Sequence, residues 1–160
     1  HRYWDGQRRI NPSSARFMRR AGVSSGSDAG KGLVTIDAGL PRLDWDQVPL
    51  ASEVDTTDFP LDMGSGALPV SAVSMGNPHC VIPLPEISEE LARTYGPHLE
   101  RHGNFPNRTN VQFLKVRDRR NPQIEIWERG AGYTLASGTS SSAARRITVR
   151  TVMVSAFREI

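Results

Sequence analysis

Apolar positions fall in short runs separated by glycine and proline, a pattern of many strands and turns rather than of a helical bundle. Leu33-Val34-Thr35-Ile36-Asp37 reads as a strand ended at Gly39. From Leu68 the text turns strand-like again, first Leu68 to Met75 and then Cys80 to Leu84, with Gly76-Asn77-Pro78-His79 as a tight connection. Ile87, Leu91, Tyr95 and Leu99 keep a four-residue apolar period. That spacing predicts a helix with Ser88 as N-cap, kinked or stopped by Gly96-Pro97 after its second turn. Residues 111–116 and 123–127 read as strands joined through the basic turn Arg117-Asp118-Arg119-Arg120-Asn121. Residues 131–142 are a loop of small residues, which opens a helix at Ala143-Ala144-Arg145-Arg146.

Two stretches carry less pattern. Residues 1–22 hold scattered apolar positions (Tyr3, Trp4, Ile10, Phe17, Met18) that predict a helix interrupted at Asn11-Pro12, and residues 23–32 read as a turn or short linker. Residues 41–66 are rich in loop signals, with Pro41, Pro49, Pro60, Gly64 and Gly66, and mark the expected domain boundary, which divides the chain into 1–60 and 61–160.

At 160 residues and 38% hydrophobic content the chain is long enough to bury a core. No apolar run approaches the ~20 residues a bilayer crossing needs, and candidates such as Val81-Ile82-Pro83-Leu84 are broken by proline, so no membrane partner is expected. Cys80 is the single cysteine, which excludes an internal disulfide and a multi-cysteine zinc site and makes a reducing cytoplasm the expected compartment. The opening His1-Arg2-Tyr3-Trp4-Asp5 has no initiator Met and no apolar signal core, the expected mark of truncation. Net charge is +3, and of the cations only Lys31 and Lys115 are lysine. Arg2, Arg8, Arg9, Arg16, Arg19 and Arg20 face a lone Asp5 in the first twenty residues, a basic arm that is able to follow a phosphate backbone. It carries no nucleic-acid-binding module, so a solvated basic face is the preferred reading and no nucleic-acid partner is expected.

Four polar clusters stand at element ends: Gly76-Asn77-Pro78-His79, Asn107-Arg108-Thr109-Asn110, Glu128-Arg129-Gly130-Ala131-Gly132 and Ser137-Gly138-Thr139-Ser140. The last places backbone N–H groups and small side chains where a helix begins, a ready site for a carboxylate or phosphate. The Gly-Lys-Ser/Thr of a P-loop and the GxGxxG fingerprint are both missing. Taken singly, each cluster has an ordinary account as turn, surface ion pair or helix cap. Together an anion-binding helix end, an Arg, a Glu and two Asn are the parts that hold a zwitterionic amino acid.

Ser74-Met75-Gly76-Asn77-Pro78-His79-Cys80-Val81 is followed by Tyr95-Gly96-Pro97 with Leu99-Glu100 and His102. Then come Phe105-Pro106-Asn107-Arg108-Thr109-Asn110-Val111 and Trp127-Glu128-Arg129-Gly130-Ala131-Gly132. In order and spacing these resemble the diaminopimelate epimerase family, from about Leu33 to Ala144 and most strongly from Val73 to Ser140. The resemblance implies an α+β fold in which a curved, mostly antiparallel sheet wraps a central helix, with 1–60 as a remnant of the family's first half and 61–160 as its second. It further implies a cofactor-independent (pyridoxal-phosphate-free) isomerase of lysine biosynthesis that inverts an amino-acid α-carbon, taking LL- to meso-diaminopimelate between two cysteines. A small-molecule amino acid is then the partner, and a homodimer is compatible with it. Carried over by position, Asn77 and Asn110 resemble substrate-binding asparagines, and Glu128 with Arg129 the pair that holds the substrate's distal and amino groups. Gly138 and Thr139 resemble the carboxylate cradle, and His79 a supporting polar residue.

Three departures accompany the resemblance. Ser137 stands at the family's second catalytic cysteine position, and a hydroxyl is a far weaker acid than a thiol of pKa ~8.5. The first catalytic cysteine, which the family places after a Gly-Asn-Gly motif in its first half, has no counterpart, and Cys80 reads as a small buried hydrophobe rather than its substitute. The run Ile147-Thr148-Val149-Arg150-Thr151-Val152-Met153-Val154-Ser155 departs from the family's expected continuation as strands. An elimination enzyme and a non-catalytic amino-acid-binding remnant on the same scaffold are the alternative expectations.

Overall fold

The computed structural model describes residues 14–19, 22–31, 33–63, 66–118 and 121–158. The chain divides into two units, His1–Leu40 and Pro41–Ile160. In the first, β1 (Ser14–Arg19), β2 (Gly22–Gly30) and β3 (Leu33–Asp37) form an antiparallel meander, with Phe17 opposite Ser24 and Gly26 opposite Ile36. The helix expected within residues 1–22 is therefore corrected to a strand over Ser14–Arg19, and the remainder of that segment lies outside the described residues. The expected linker at 23–32 is corrected to β2, which gains ladder hydrogen bonds on both sides despite its Ser, Gly and Asp content. β3 forms as expected, and the Gly39 N–H closes its end by donating to Asp37 Oδ1 at 2.9 Å.

In the second unit the described residues build a six-stranded sheet in sequence order: β4 (Phe59–Asp62), β5 (Ala67–Ser74), β6 (Pro78–Pro83), β7 (Asn110–Val116), β8 (Pro122–Glu128) and β9 (Gly132–Thr134). β6 and β7 run parallel, with His79 opposite Asn110, while the other neighbours are antiparallel. A parallel pair needs a long crossover, and α1 (Glu89–Glu100) supplies it. Side chains alternate across the sheet. Cys80, Ile82, Val111 and Phe113 pack with Ala92 and Leu99 of α1 and with Val48, Leu50, Leu61 and Phe105. On the other parity His79, Val81, Gln112 and Leu114 are fully buried, and α2 (Gly138–Arg158) covers that side with Ala143, Ala144 and Ile147. The fold is α+β with a mostly antiparallel sheet, as expected, and the sheet is open at its edges β4 and β9.

Two local expectations, for 41–66 and for 131–142, are corrected, and of the two alternatives for α1 the stop is excluded. The loop-rich stretch 41–66 contains β4, held by antiparallel pairing of Phe59 with Val70 and Leu61 with Leu68. α1 starts at the Ser88 cap as expected but continues through Pro97 to Glu100. Gly96 permits this, because the residue before proline clashes through a Cβ that glycine lacks. Residues 131–142 contain β9, and α2 starts at Gly138, five residues before the expected Ala143. Among the described residues no helix is long and apolar enough to cross a membrane.

Candidate functional site

The parallel pair β6–β7 and the N-terminus of α2 carry most of the polar residues singled out in the sequence. Gly76, with φ +86°, turns the chain between β5 and β6. Half-buried Asn77 then follows, and Oδ1 of Asn77 lies 3.1 Å from Nε2 of His79. His79 is fully buried, and among the described residues its Nδ1 has no hydrogen-bond partner. Burial pulls its pKa down to about 4, with the Gln112 side chain working in the opposite direction and the Arg129 charge lowering it further. The imidazole is thus neutral at pH 7.

Across the ladder, Asn110 is buried and uses both ends of its amide. Its Nδ2 donates to the Pro78 carbonyl at 2.9 Å, and its Oδ1 accepts from the Arg129 N–H at 3.0 Å. The Arg129 guanidinium donates to the Asn107 carbonyl at 3.0 Å. Asn110 therefore ties the start of β6 to the turn after β8. Glu128 ends β8 opposite Gly132, half-buried, and its carbonyl accepts from the Ala131 N–H in that turn.

Ser137 precedes α2 and caps it, its Oγ accepting from the Ser140 N–H at 3.4 Å and its carbonyl from the Ser141 N–H at 2.9 Å. Its hydroxyl also lies 3.5 Å from that of Thr139. Gly138 is exposed, and nothing lies within 4 Å of the position a Cβ would take. Beyond the small side chains of Ser137 and Thr139, nothing crowds Gly138, so a small anion is able to approach the first-turn N–H groups there.

Gln112 joins the two groups, and the sequence reading missed it. Fully buried in β7, it donates from Nε2 to Ser140 Oγ at 3.0 Å, while its Oε1, like Nδ1 of His79, has no hydrogen-bond partner among the described residues. The available signal was a single amide inside the apolar run Val111-Gln112-Phe113-Leu114, where an inward polar side chain needs a partner. Cys80 is fully buried on the opposite face of β6, and burial pushes its thiol far above the ordinary range. It packs as a hydrophobe. Among the described residues no group of three or more His, Cys, Asp and Glu is arranged to hold a metal ion. A surface cavity of about 710 Å³ along residues 43–57 contains none of the candidate site residues.

Residues 71–156 match the family model for diaminopimelate epimerase. That match corrects the expectation that Ile147–Ser155 departs from the family, since it runs through the segment, which is helical here. Diaminopimelate epimerase 2 of Nostoc sp. is 49% identical over 118 residues, 73% of this chain and 41% of the relative. The diaminopimelate epimerase of Caulobacter sp. (strain K31) is 43% identical over 143 residues, covering 86% and 49% of the two chains. That of Ectopseudomonas mendocina is 36% identical over 144 residues, covering 90% and 52%. The chain spans about half the length of the curated relatives it matches.

Proposed function

The chain belongs to the diaminopimelate epimerase family, and from that premise we propose that it supplies the amino-acid-holding half of a cofactor-independent epimerase site acting on the α-carbon of diaminopimelate in lysine biosynthesis. The observation that carries this reading is the set of side-chain hydrogen bonds that fixes the polar residues on and beside the paired strands β6 and β7. Asn77 meets His79, Asn110 fixes the Arg129 turn, and Gln112 fastens the α2 N-terminus to the strand between them.

The substrate's α-carboxylate sits over the N–H groups of Gly138 and Thr139, where the helix dipole stabilises the negative charge that grows as the α-proton leaves. Asn77 offers its amide nitrogen to the substrate, Asn110, whose amide is engaged at both ends, holds the turn that bears Arg129, Glu128 accepts from an ammonium, and Arg129 holds a carboxylate with geometry a lysine does not reproduce. His79, neutral and buried, supports Asn77 and adds no charge to the site at pH 7.

Ser137 is the specific observation behind a second reading, in which this polypeptide by itself binds an amino acid without turnover. Its hydroxyl serves as a helix cap, and no dipole of about half a charge brings an alcohol into the range of a working base near pH 7. The test is an NMR titration of the protein with meso-diaminopimelate. Saturable shifts of the Arg129, Thr139 and Ser140 amides, weaker with lysine, which lacks the second carboxylate, are expected. Unchanged amides at millimolar ligand remove the reading.

A further inference from the structure

The motif at the end of α1 has no role in the site as described, yet its carboxylate is one of the most deeply buried charges in the described structure. Glu100 is 4% exposed. Its Oε2 accepts from Trp127 Nε1 at 2.8 Å, and its Oε1 accepts from the Gly130 N–H at 3.1 Å with Arg108 Nη1 3.6 Å away. Its backbone carbonyl accepts from the Thr109 N–H at 3.0 Å. One residue thus grips β8, the turn after it and the entry to β7.

We infer that Glu100 is a positioning residue, whose two carboxylate oxygens hold the Glu128–Arg129 turn in the shape that presents Arg129 to the ligand. The inference rests on the proposed amino-acid site for its functional consequence, but its geometric core does not.

The arrangement is built from both sides. The Arg129 N–H is held by Asn110 Oδ1, so the next N–H, that of Gly130, is the point at which the turn needs a second anchor. Gly130 adopts φ +77°, which glycine reaches without strain, so the turn's shape there is set by its hydrogen bonds. Trp127 lies over Gly96, where a Cβ would come within 2.5 Å of the indole Cγ, so the absent side chain lets the ring sit flat enough for Nε1 to reach Glu100. Arg108 takes φ +59°, in the left-handed region, and its guanidinium approaches the same carboxylate. The motif residues Gly96, Glu100 and Arg108 thereby act on one object, the turn that bears Glu128 and Arg129. A carboxylate is required because it accepts at both oxygens. Glutamine offers one acceptor and sets an NH2 against either the indole N–H or the Gly130 N–H.

The test compares the parent protein, Glu100→Gln and Trp127→Phe by amide hydrogen exchange and by diaminopimelate titration. In Glu100→Gln the Gly130 amide is expected to exchange at least tenfold faster, while the Phe113 amide in β7 keeps its parent rate. The Trp127 indole proton moves upfield as it loses its charged acceptor, and affinity for meso-diaminopimelate falls about tenfold. Trp127→Phe removes one of the two grips and leaves Gly130 protection within threefold of the parent, which keeps the test decisive where Glu100→Gln fails to fold. Equal acceleration at Gly130 and Phe113 in Glu100→Gln means a merely structural role and overturns the inference. Parent-like Gly130 exchange in Glu100→Gln, or full loss of Gly130 protection in Trp127→Phe, overturns it too. If the parent binds no diaminopimelate, the proposed function fails, and the Gly130 exchange still decides the positioning role. Parent-like affinity in a Glu100→Gln protein with a loosened turn overturns the functional consequence.

Discussion

Replacing Gly96 with alanine sets two opposing effects against each other, and the structure says which wins. In an exposed helix the change is stabilising by about 1 kcal/mol, from better helix propensity and a less flexible unfolded chain, a gain reduced here because the added Cβ clashes with the Pro97 ring. Here the new methyl carbon would stand 2.5 Å from Trp127 Cγ and 2.7 Å from its Cβ and Cδ2, well inside contact distance. The indole is not free to slide, since its Nε1 is bonded to the buried Glu100 carboxylate. Overpacking of this kind costs about 1–3 kcal/mol, and a strained charge-assisted hydrogen bond about 1 kcal/mol more. The net expectation is a loss of about 2 kcal/mol, read as a lower urea midpoint at unchanged slope and a fall of about 6 °C in Tm for a chain of this size. Trp127 fluorescence should shift in the same variant. A midpoint equal to or above that of the parent would refute the packing argument.

Burial of His79 predicts a pH signature. Its pKa in the folded protein, about 4, lies below the ordinary 6.5, so the unfolded chain takes up the proton first as pH falls. The contribution is fully present above pH 6.5 and lost progressively towards pH 4, about 3 kcal/mol in all, and urea titrations of the parent and His79→Gln should show this part of the slope vanish in the variant. In Gln112→Glu a carboxyl group next to the imidazole should raise the His79 pKa by at least about one unit, seen by NMR of the ring carbons. Arg129→Lys should weaken diaminopimelate binding about tenfold by calorimetry, because an ammonium does not reproduce the guanidinium's planar contacts; equal affinity would remove Arg129 from the site.

Features with a local cause were readable in the chain. Ser88 caps α1 through its own side chain, with the Leu91 N–H donating to Oγ, and the apolar period that follows marks the buried face. β7 and β8 announce themselves through β-branched and aromatic runs. Features whose cause lies elsewhere were not. β2 is polar and glycine-rich and exists because β1 and β3 flank it. Pro97 reads as a kink or a stop, and the stop fails because Gly96 before it relieves the clash and the final turn completes. In the proposed site, Asn77, Asn110 and Arg129 stood out because polar clusters at element ends are visible in one dimension. Gln112 did not stand out, and Glu100 did so only as part of a motif without a role, since their partners Ser140, Trp127 and Gly130 lie 27 to 30 residues away in the chain.

The central claim is that this site holds an amino acid but that Ser137 passes no proton, and α-hydrogen exchange tests it most directly. Diaminopimelate is incubated in deuterated water with the parent polypeptide, and with Ser137→Cys in the presence of a separate polypeptide carrying the family's first half and its cysteine. The account predicts no deuterium at the α-carbon with the parent alone, because the hydroxyl is too weak an acid to yield a base near pH 7. It predicts measurable incorporation in the Ser137→Cys pair. Incorporation by the unmodified chain alone would contradict it, showing that another group, foremost His79, abstracts the proton.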